Sequence, residues 1–268
     1  MLRDITLGQY FPGNTIVHRL DPRTKLALTV CYMVALFAAR TWSGYAFMLA
    51  VLISAVAASR INGKTLLKSL KPILFIIIFT VVLNVFFTAG DDVLAHFWIF
   101  KITKQGLVGA AQMMLRLTML IAGTFLLTYT TSPLALTDGI ESILKPLAKI
   151  HFPAHVLAMM MSIALRFIPT LIEETDKIMS AQKARGADFE SGGLVKRAKA
   201  LLPILVPLFV SAFRRADELA EAMESRCYRG GEGRTRMKTL VMRPRDWVAL
   251  AAGAAVISAV YALFRRLP

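Results

Sequence analysis

Residues 72–89 read PILFIIIFTVVLNVFFTA. No residue in this stretch is charged, and its only polar side chains are Thr80, Asn84 and Thr88. A run of this length and apolarity matches the hydrocarbon thickness that a helix must cross. It would be hard to keep in solution on a soluble protein. In lipid, a helix satisfies every backbone N–H and C=O internally, which is why such a run is read as a transmembrane helix. Working outward, four more apolar stretches have the same character. They lie at 24–39, 42–58, 107–130 and near the end at 247–264. The second opens with Trp42 and Tyr45, placed as interfacial anchors. The fourth is interrupted by Arg116. The expected fold is therefore an all-α membrane protein with about five transmembrane helices.

The chain of 268 residues is 56% hydrophobic, yet it carries 32 Lys and Arg against 17 Asp and Glu, a formal net charge of +15. A basic balance fits either a nucleic-acid binder or a membrane protein with Lys and Arg in its cytoplasmic loops. The apolar runs decide for the membrane. The absence of an aromatic stacking platform also speaks against nucleic acid. Short-loop charge sets the orientation. The segment before the first span and the 59–71 loop (Arg60, Lys64, Lys68, Lys71) are basic, whereas the loop after the third span holds Asp91, Asp92 and Trp98. The N-terminus and the 59–71 loop are thus expected in the cytoplasm. Residues 1–20 contain no apolar stretch of the kind found in a cleavable signal peptide.

Twelve of the 17 acids fall in 132–243, where the apolar spacing suits amphipathic helices rather than spans. This predicts a division into an N-terminal membrane domain at 1–131, a cytoplasmic α-helical domain at 132–245 and a C-terminal transmembrane helix at 246–268. Ser132-Pro133 is suited to a helix start. A long helix is expected over 154–184 with Pro169 inside it, stopped by Gly186, and a second over 194–226 containing Pro203 and Pro207.

Several features lack the context that chemistry demands. Gly63-Lys64-Thr65 lacks the earlier glycine and the preceding strand of a phosphate-binding loop, and GGEGRT at 230–235 lacks a lysine. Cys31 and Cys227 form no spaced framework. His151 and His155 are four apart and could share a helix face, with no carboxylate or Cys partner placed to complete a metal site. Arg116 admits two readings: an intramembrane functional charge, or a structural arginine bonded to helix carbonyls or to Asn84. The methionines Met159, Met160 and Met161 suit either core packing or an adaptable partner surface.

The most specific signal is a repeat. Residues 176–185 and 217–226 align on Arg185 and Arg226, with an Asp nine residues before each arginine and an Ala four before. The offset is forty-one residues. Small residues flank both arginines, Ala184 and Gly186 in the first copy and Ser225 and Cys227 in the second, so a partner's backbone can approach closely. Arginine presents a planar fork of donors suited to a carboxylate in a groove. Two such groups at helix ends suit a partner with twofold symmetry.

Those residues carry a resemblance. AQKARGADF, ESRCYRGGEGRTRM, LDPRTKL, TTSPLALTDGIESILKPL and ALRFIPTLIEE closely resemble the transmembrane T component of energy-coupling factor transporters, EcfT, with its cobalt and biotin relatives. The resemblance covers about residue 20 to the end. It implies a non-catalytic subunit of a bacterial plasma-membrane importer with a cytoplasmic coupling domain. Two ABC ATPases (EcfA and EcfA′-like) carry ATP-Mg, so no cofactor is expected in this chain. Their grooves receive Ala184, Arg185, Gly186, Ser225, Arg226 and Cys227. A substrate-binding S component for a vitamin or a transition-metal ion rests on another face, for which Met159, Met160 and Met161 are candidate contacts. The second motif departs from the plain Ala-Arg-Gly form. A channel or secondary carrier that binds substrate itself is the alternative; it needs polar residues on several spans, and only Arg116 and Asn84 answer.

Overall fold

The computed structural model describes residues 10–39, 41–88, 93–97, 100–150, 152–189, 193–230 and 239–266. Arg40, Asp91, Asp92, Trp98, His151 and most of GGEGRT lie outside the described residues. The chain is an all-α membrane protein, to which one short hairpin is added. It divides into two compact units: residues 8–139 with 240–268, and residues 140–239.

In the first unit, most helices begin where the sequence supplies a cap. The Asp21 carboxylate accepts from the Arg23 N–H (2.9 Å) and Pro22 occupies the first turn of α1, Pro22–Ala38. Thr41 caps α2, Trp42–Ser59, by accepting from the Gly44 N–H. Asn62 caps α3, Gly63–Leu70, by accepting from the Lys64 N–H. A turn of 3-10 helix at Lys71–Ile73 leads into α4, Leu74–Phe87, so residues 63–87 form one continuous rod. The 59–71 stretch is therefore mostly helix, not loop. Leu66 and Leu70 are four apart and both buried. That spacing provided the apolar face.

A hairpin occupies the expected loop between the third and fourth spans. β1, Val93–Phe97, pairs antiparallel with β2, Phe100–Thr103. Thr103 then caps α5, Lys104–Thr130. α6, Pro133–Leu144, starts at Ser132, whose hydroxyl accepts from the Ala135 N–H. The helix α9, Pro244–Arg266, completes the first unit.

The core of this unit is formed by Ala35, Leu36, Met48, Leu52, Met119, Ala122, Tyr129 and Val260. Small residues let its helices approach. A Cβ on Gly123 of α5 would stand 2.7 Å from the Tyr32 ring of α1, and one on Gly253 of α9 would stand 2.5 Å from Leu28 of α1. Close backbone approach is how membrane helices gain packing where lipid removes the hydrophobic drive. The large side chains Phe75, Ile76, Phe79 and Phe87 of α4 remain exposed, as expected of a lipid-facing surface.

Polar groups fasten the first helix to the last. Asp246 is 1% exposed. Its carboxylate accepts from the backbone N–H of Asp21 and of Arg243, both at 2.8 Å. The buried Lys25 ammonium donates to the carbonyls of Thr130 (2.7 Å) and His18 (3.1 Å), with Asp21 and Asp246 acting on it electrostatically. Arg116 donates to the Tyr45 hydroxyl (2.6 Å) and the Ala39 carbonyl (3.3 Å), its guanidinium over the Phe37 and Tyr45 rings. Asn84 donates instead to Thr80 of its own helix.

Among the described residues, five helical stretches are long and apolar enough to cross a membrane by length and composition: Trp42–Ser59, Gly63–Phe87, Lys104–Thr130, Ala154–Ala184 and Pro244–Ala262. Four of them correspond to expected spans. α1, with 17 residues, is shorter than the rest, while the stretch 154–184 also qualifies.

Candidate functional site: two arginine-bearing helix ends

In the second unit, α7 spans Ala154–Ala184 and α8 spans Leu194–Ser225. These bounds agree with those expected from sequence to within a residue. Both helices continue through their internal prolines. The forty-one-residue offset carries residue 154 to 195 and residue 184 to 225, so the bounds of the two helices match it to within a residue.

The helix ends repeat hydrogen bond for hydrogen bond. After α7, the Gly186 N–H donates to the Lys183 carbonyl (3.0 Å) and the Ala187 N–H to the Gln182 carbonyl (2.9 Å). After α8, the Cys227 N–H donates to the Glu224 carbonyl (2.8 Å) and the Tyr228 N–H to the Met223 carbonyl (3.0 Å). Every one of these positions is displaced by forty-one. This is the Schellman closure, which needs a left-handed residue just past the helix. Gly186 supplies it at φ 86° and Cys227 at φ 56°.

Arg185 and Arg226 are therefore the last residues before equivalent left-handed turns. Both are exposed, as are Ala184, Gly186, Ser225 and Cys227. Neither guanidinium bonds to another described residue. The six residues expected from sequence thus form two separate exposed knobs rather than one cluster.

The relation between the knobs follows from the contacts of α7 with α8. The Tyr228 hydroxyl donates to the Met159 sulfur (3.1 Å), near the start of α7. At mid-helix, the Glu174 carboxylate accepts from the Ser211 hydroxyl and from Arg215 Nη2 (3.0 Å). Lower numbers on α7 meet higher numbers on α8, so the helices run antiparallel. Arg185 and Arg226 lie at opposite ends of the pair. Each is eleven residues from the central contact, which separates them by about 33 Å of helix axis at 1.5 Å per residue.

Met159 is half-buried and engaged by Tyr228, whereas Met160 and Met161 are 50% and 53% exposed. Only two of the three methionines present free surface. His155 does meet a carboxylate: its Nδ1 lies 3.0 Å from Glu141. No cluster of three metal-ligating side chains occurs among the described residues. Gly63-Lys64-Thr65 opens α3 directly after an apolar helix, with no strand before it. Sequence reasoning missed Glu174, Ser211 and Arg215. Extending the forty-one-residue register two positions upstream of the motif aligns Glu174 with Arg215, an acid with a base.

The model of the CbiQ family, described as cobalt transport protein, matches residues 13–237. The chain is 56% identical to the energy-coupling factor transporter transmembrane protein EcfT of Thermosediminibacter oceani over 264 residues, 98% of this chain and 99% of that protein. The chain belongs to this family. It is 55% identical to the EcfT of Clostridium kluyveri over 93% of each chain. With the EcfT of Brevibacillus brevis it shares 52% identity over 92% of this chain and 94% of that protein. Membership in the EcfT family makes the chain a transmembrane component of a transporter. Of the two readings of Arg116, the partners observed are the Tyr45 hydroxyl and the Ala39 carbonyl, not Asn84.

Proposed function

We propose that this chain is the coupling subunit of an energy-coupling factor importer. Two ABC ATPases, each holding ATP-Mg, seat on the two arginine knobs, and the chain passes their movement to a substrate-binding S component. The cargo class is a vitamin or a transition-metal ion. The observation that carries the reading is the pair of matching caps, which present Arg185 and Arg226 unpaired at opposite ends of an antiparallel helix pair. A twofold-symmetric motor with one groove per subunit needs that arrangement. The N-terminus and the α7–α8 pair face the cytoplasm in this reading. α7 then lies outside the bilayer although its first half is apolar. Its second half carries Glu173, Glu174, Asp176, Lys177, Lys183 and Arg185, and it pairs with the charged α8. Met160 and Met161 belong to the surface offered to the S component.

ATP binding changes the distance between the ATPase grooves, and the knobs follow. Work is done in the ATPases and transmitted here through two discrete arrangements of the helix pair. Affinity capture of the tagged chain tests the reading. Two nucleotide-binding subunits should co-isolate with the wild type. Replacing both Arg185 and Arg226 by Glu should remove them, since reversing a buried interfacial charge costs about 2–5 kcal/mol per site. Retention of the ATPases by the double variant would refute the docking role.

A further inference from the structure

Glu174 and Arg215 are equivalent positions of the repeat, and they touch each other. In a pair of helices related by a twofold axis, a residue contacts its own counterpart only at the axis. The contact therefore marks where the pseudo-dyad of α7 and α8 passes. An acid opposite a base satisfies a position at which two identical charges would repel. Ser211, one turn before Arg215, donates a second hydrogen bond to the same carboxylate. The two bonds fix the Glu174 side chain from two directions.

The prolines are distributed unevenly about this point. Residues 174–185 and 215–226 contain none, so each helix has an unbroken run of eleven residues from the contact to its arginine. Pro169, Pro203 and Pro207 all lie on the far side, where each removes one backbone donor and weakens the helix. The pair thus has two stiff arms of equal length and softer opposite segments.

Resting on the docking reading above for its functional meaning, we propose that the Glu174–Arg215 contact, supported by Ser211, is the pivot that sets the separation of Arg185 and Arg226. The side chains are about a quarter to a third exposed. An ion pair so placed adds little to global stability. Its work is positional. It holds the crossing point so that neither helix slides along the other, while the Tyr228–Met159 bond fastens the pair near the Arg226 end.

The distance between the arms tests this directly. Nitroxide labels attached through p-acetylphenylalanine at Ala181 and Ala222, equivalent exposed positions seven residues from the contact, lie about 21 Å apart along the pair. The unaltered full-length chain should give a narrow distance distribution by pulsed electron resonance. Glu174→Gln and Arg215→Met should each broaden it and shift its mean by several ångströms, with little change in Tm. Exchanging the charges, Glu174→Arg with Arg215→Glu, should restore the narrow distribution, which a generic packing defect would not allow. Distributions unchanged in both single variants would overturn the pivot, as would failure of the exchange to restore them. Capture of the ATPases is scored separately on the same proteins. Single variants should still capture them, because both knobs remain. Failure of the wild type to capture any ATPase overturns the docking reading, and the distance measurement still decides the pivot.

Discussion

Gly186 and Cys227 hold the same backbone position, the left-handed residue that closes a long helix, and only one of them is glycine. A side chain at positive φ places Cβ against the following carbonyl and costs roughly 1–2 kcal/mol. Cys227, at φ 56°, bears that cost and Gly186, at φ 86°, does not. Cys227→Gly should therefore raise local stability by about 1 kcal/mol, read as greater hydrogen-exchange protection of the Cys227 and Tyr228 amides. Gly186→Ala should lower protection at Gly186 and Ala187 by a comparable amount. Open space surrounds Gly186, so the second effect would come from backbone conformation and not from a clash.

Asp246 supports two buried backbone donors and helps balance the Lys25 ammonium. Asp246→Ala leaves both N–H groups and a buried cation without that carboxylate, a loss of about 3–5 kcal/mol for breaking one side of a buried charged arrangement. Asp246→Asn keeps an acceptor oxygen and should cost less. Thermal unfolding in detergent ranks the three proteins, with wild type highest and the alanine variant lowest.

Gly123 meets a rigid aromatic ring. A methyl group 2.7 Å from the nearest carbon of Tyr32 cannot be absorbed by rotating a flexible tail. Gly123→Ala should cost about 1–3 kcal/mol of overpacking. Adding Tyr32→Leu should recover part of that loss, and a double-mutant cycle in the same unfolding assay measures how much.

Arg116→Met separates the two roles an intramembrane arginine can have. The variant removes a charge-assisted hydrogen bond from the nearly fully buried Tyr45, a loss of about 1.5–3 kcal/mol. The expected outcome is a lower unfolding temperature with the transport rate of the surviving protein unchanged. A lost rate at unchanged stability would assign Arg116 to transport instead.

His18 provides a pH-dependent term outside the membrane helices. Its Nε2 lies 3.1 Å from the Phe11 carbonyl and its Nδ1 2.6 Å from the Thr15 hydroxyl. The neutral ring fits if Nε2–H donates to the carbonyl and the hydroxyl donates to Nδ1. Burial, foremost, holds the imidazole below its ordinary 6.5, and nearby Lys25 acts the same way; the Phe11 carbonyl opposes both. The folded state thus binds this proton less readily than the unfolded state. The His18 contribution to stability is fully present above pH 6.5 and is lost as pH falls through the lowered value. Unfolding profiles from pH 7.5 to 5 should fall less steeply in His18→Gln than in wild type.

Much of this architecture could be read before any coordinates. Apolar runs place α2, α4, α5 and α9 because hydrocarbon length constrains them directly. Ser132 and Pro133 announce a helix start because capping is local chemistry. The ends of α7 and α8 were legible for the same reason, with Gly186 and the glycines after Cys227 breaking the pattern. The α3 helix was hidden by its lysines, although Leu66 and Leu70 carried its period. The hairpin at 93–103 escaped because a short ribbon has too few alternating residues to stand out from a loop. The Glu174–Arg215 contact was out of reach. Equivalence within a repeat is a property of sequence, but whether equivalent residues meet depends on how two helices pack.

The Asp21–Asp246 connection has a further consequence for biosynthesis. Its two halves are separated by 225 residues. The ribosome must therefore deliver the entire 140–239 unit before α9 can dock against α1. Until then the nascent membrane portion exposes the α1 surface around Leu28 that the twenty-three residues of α9 later cover.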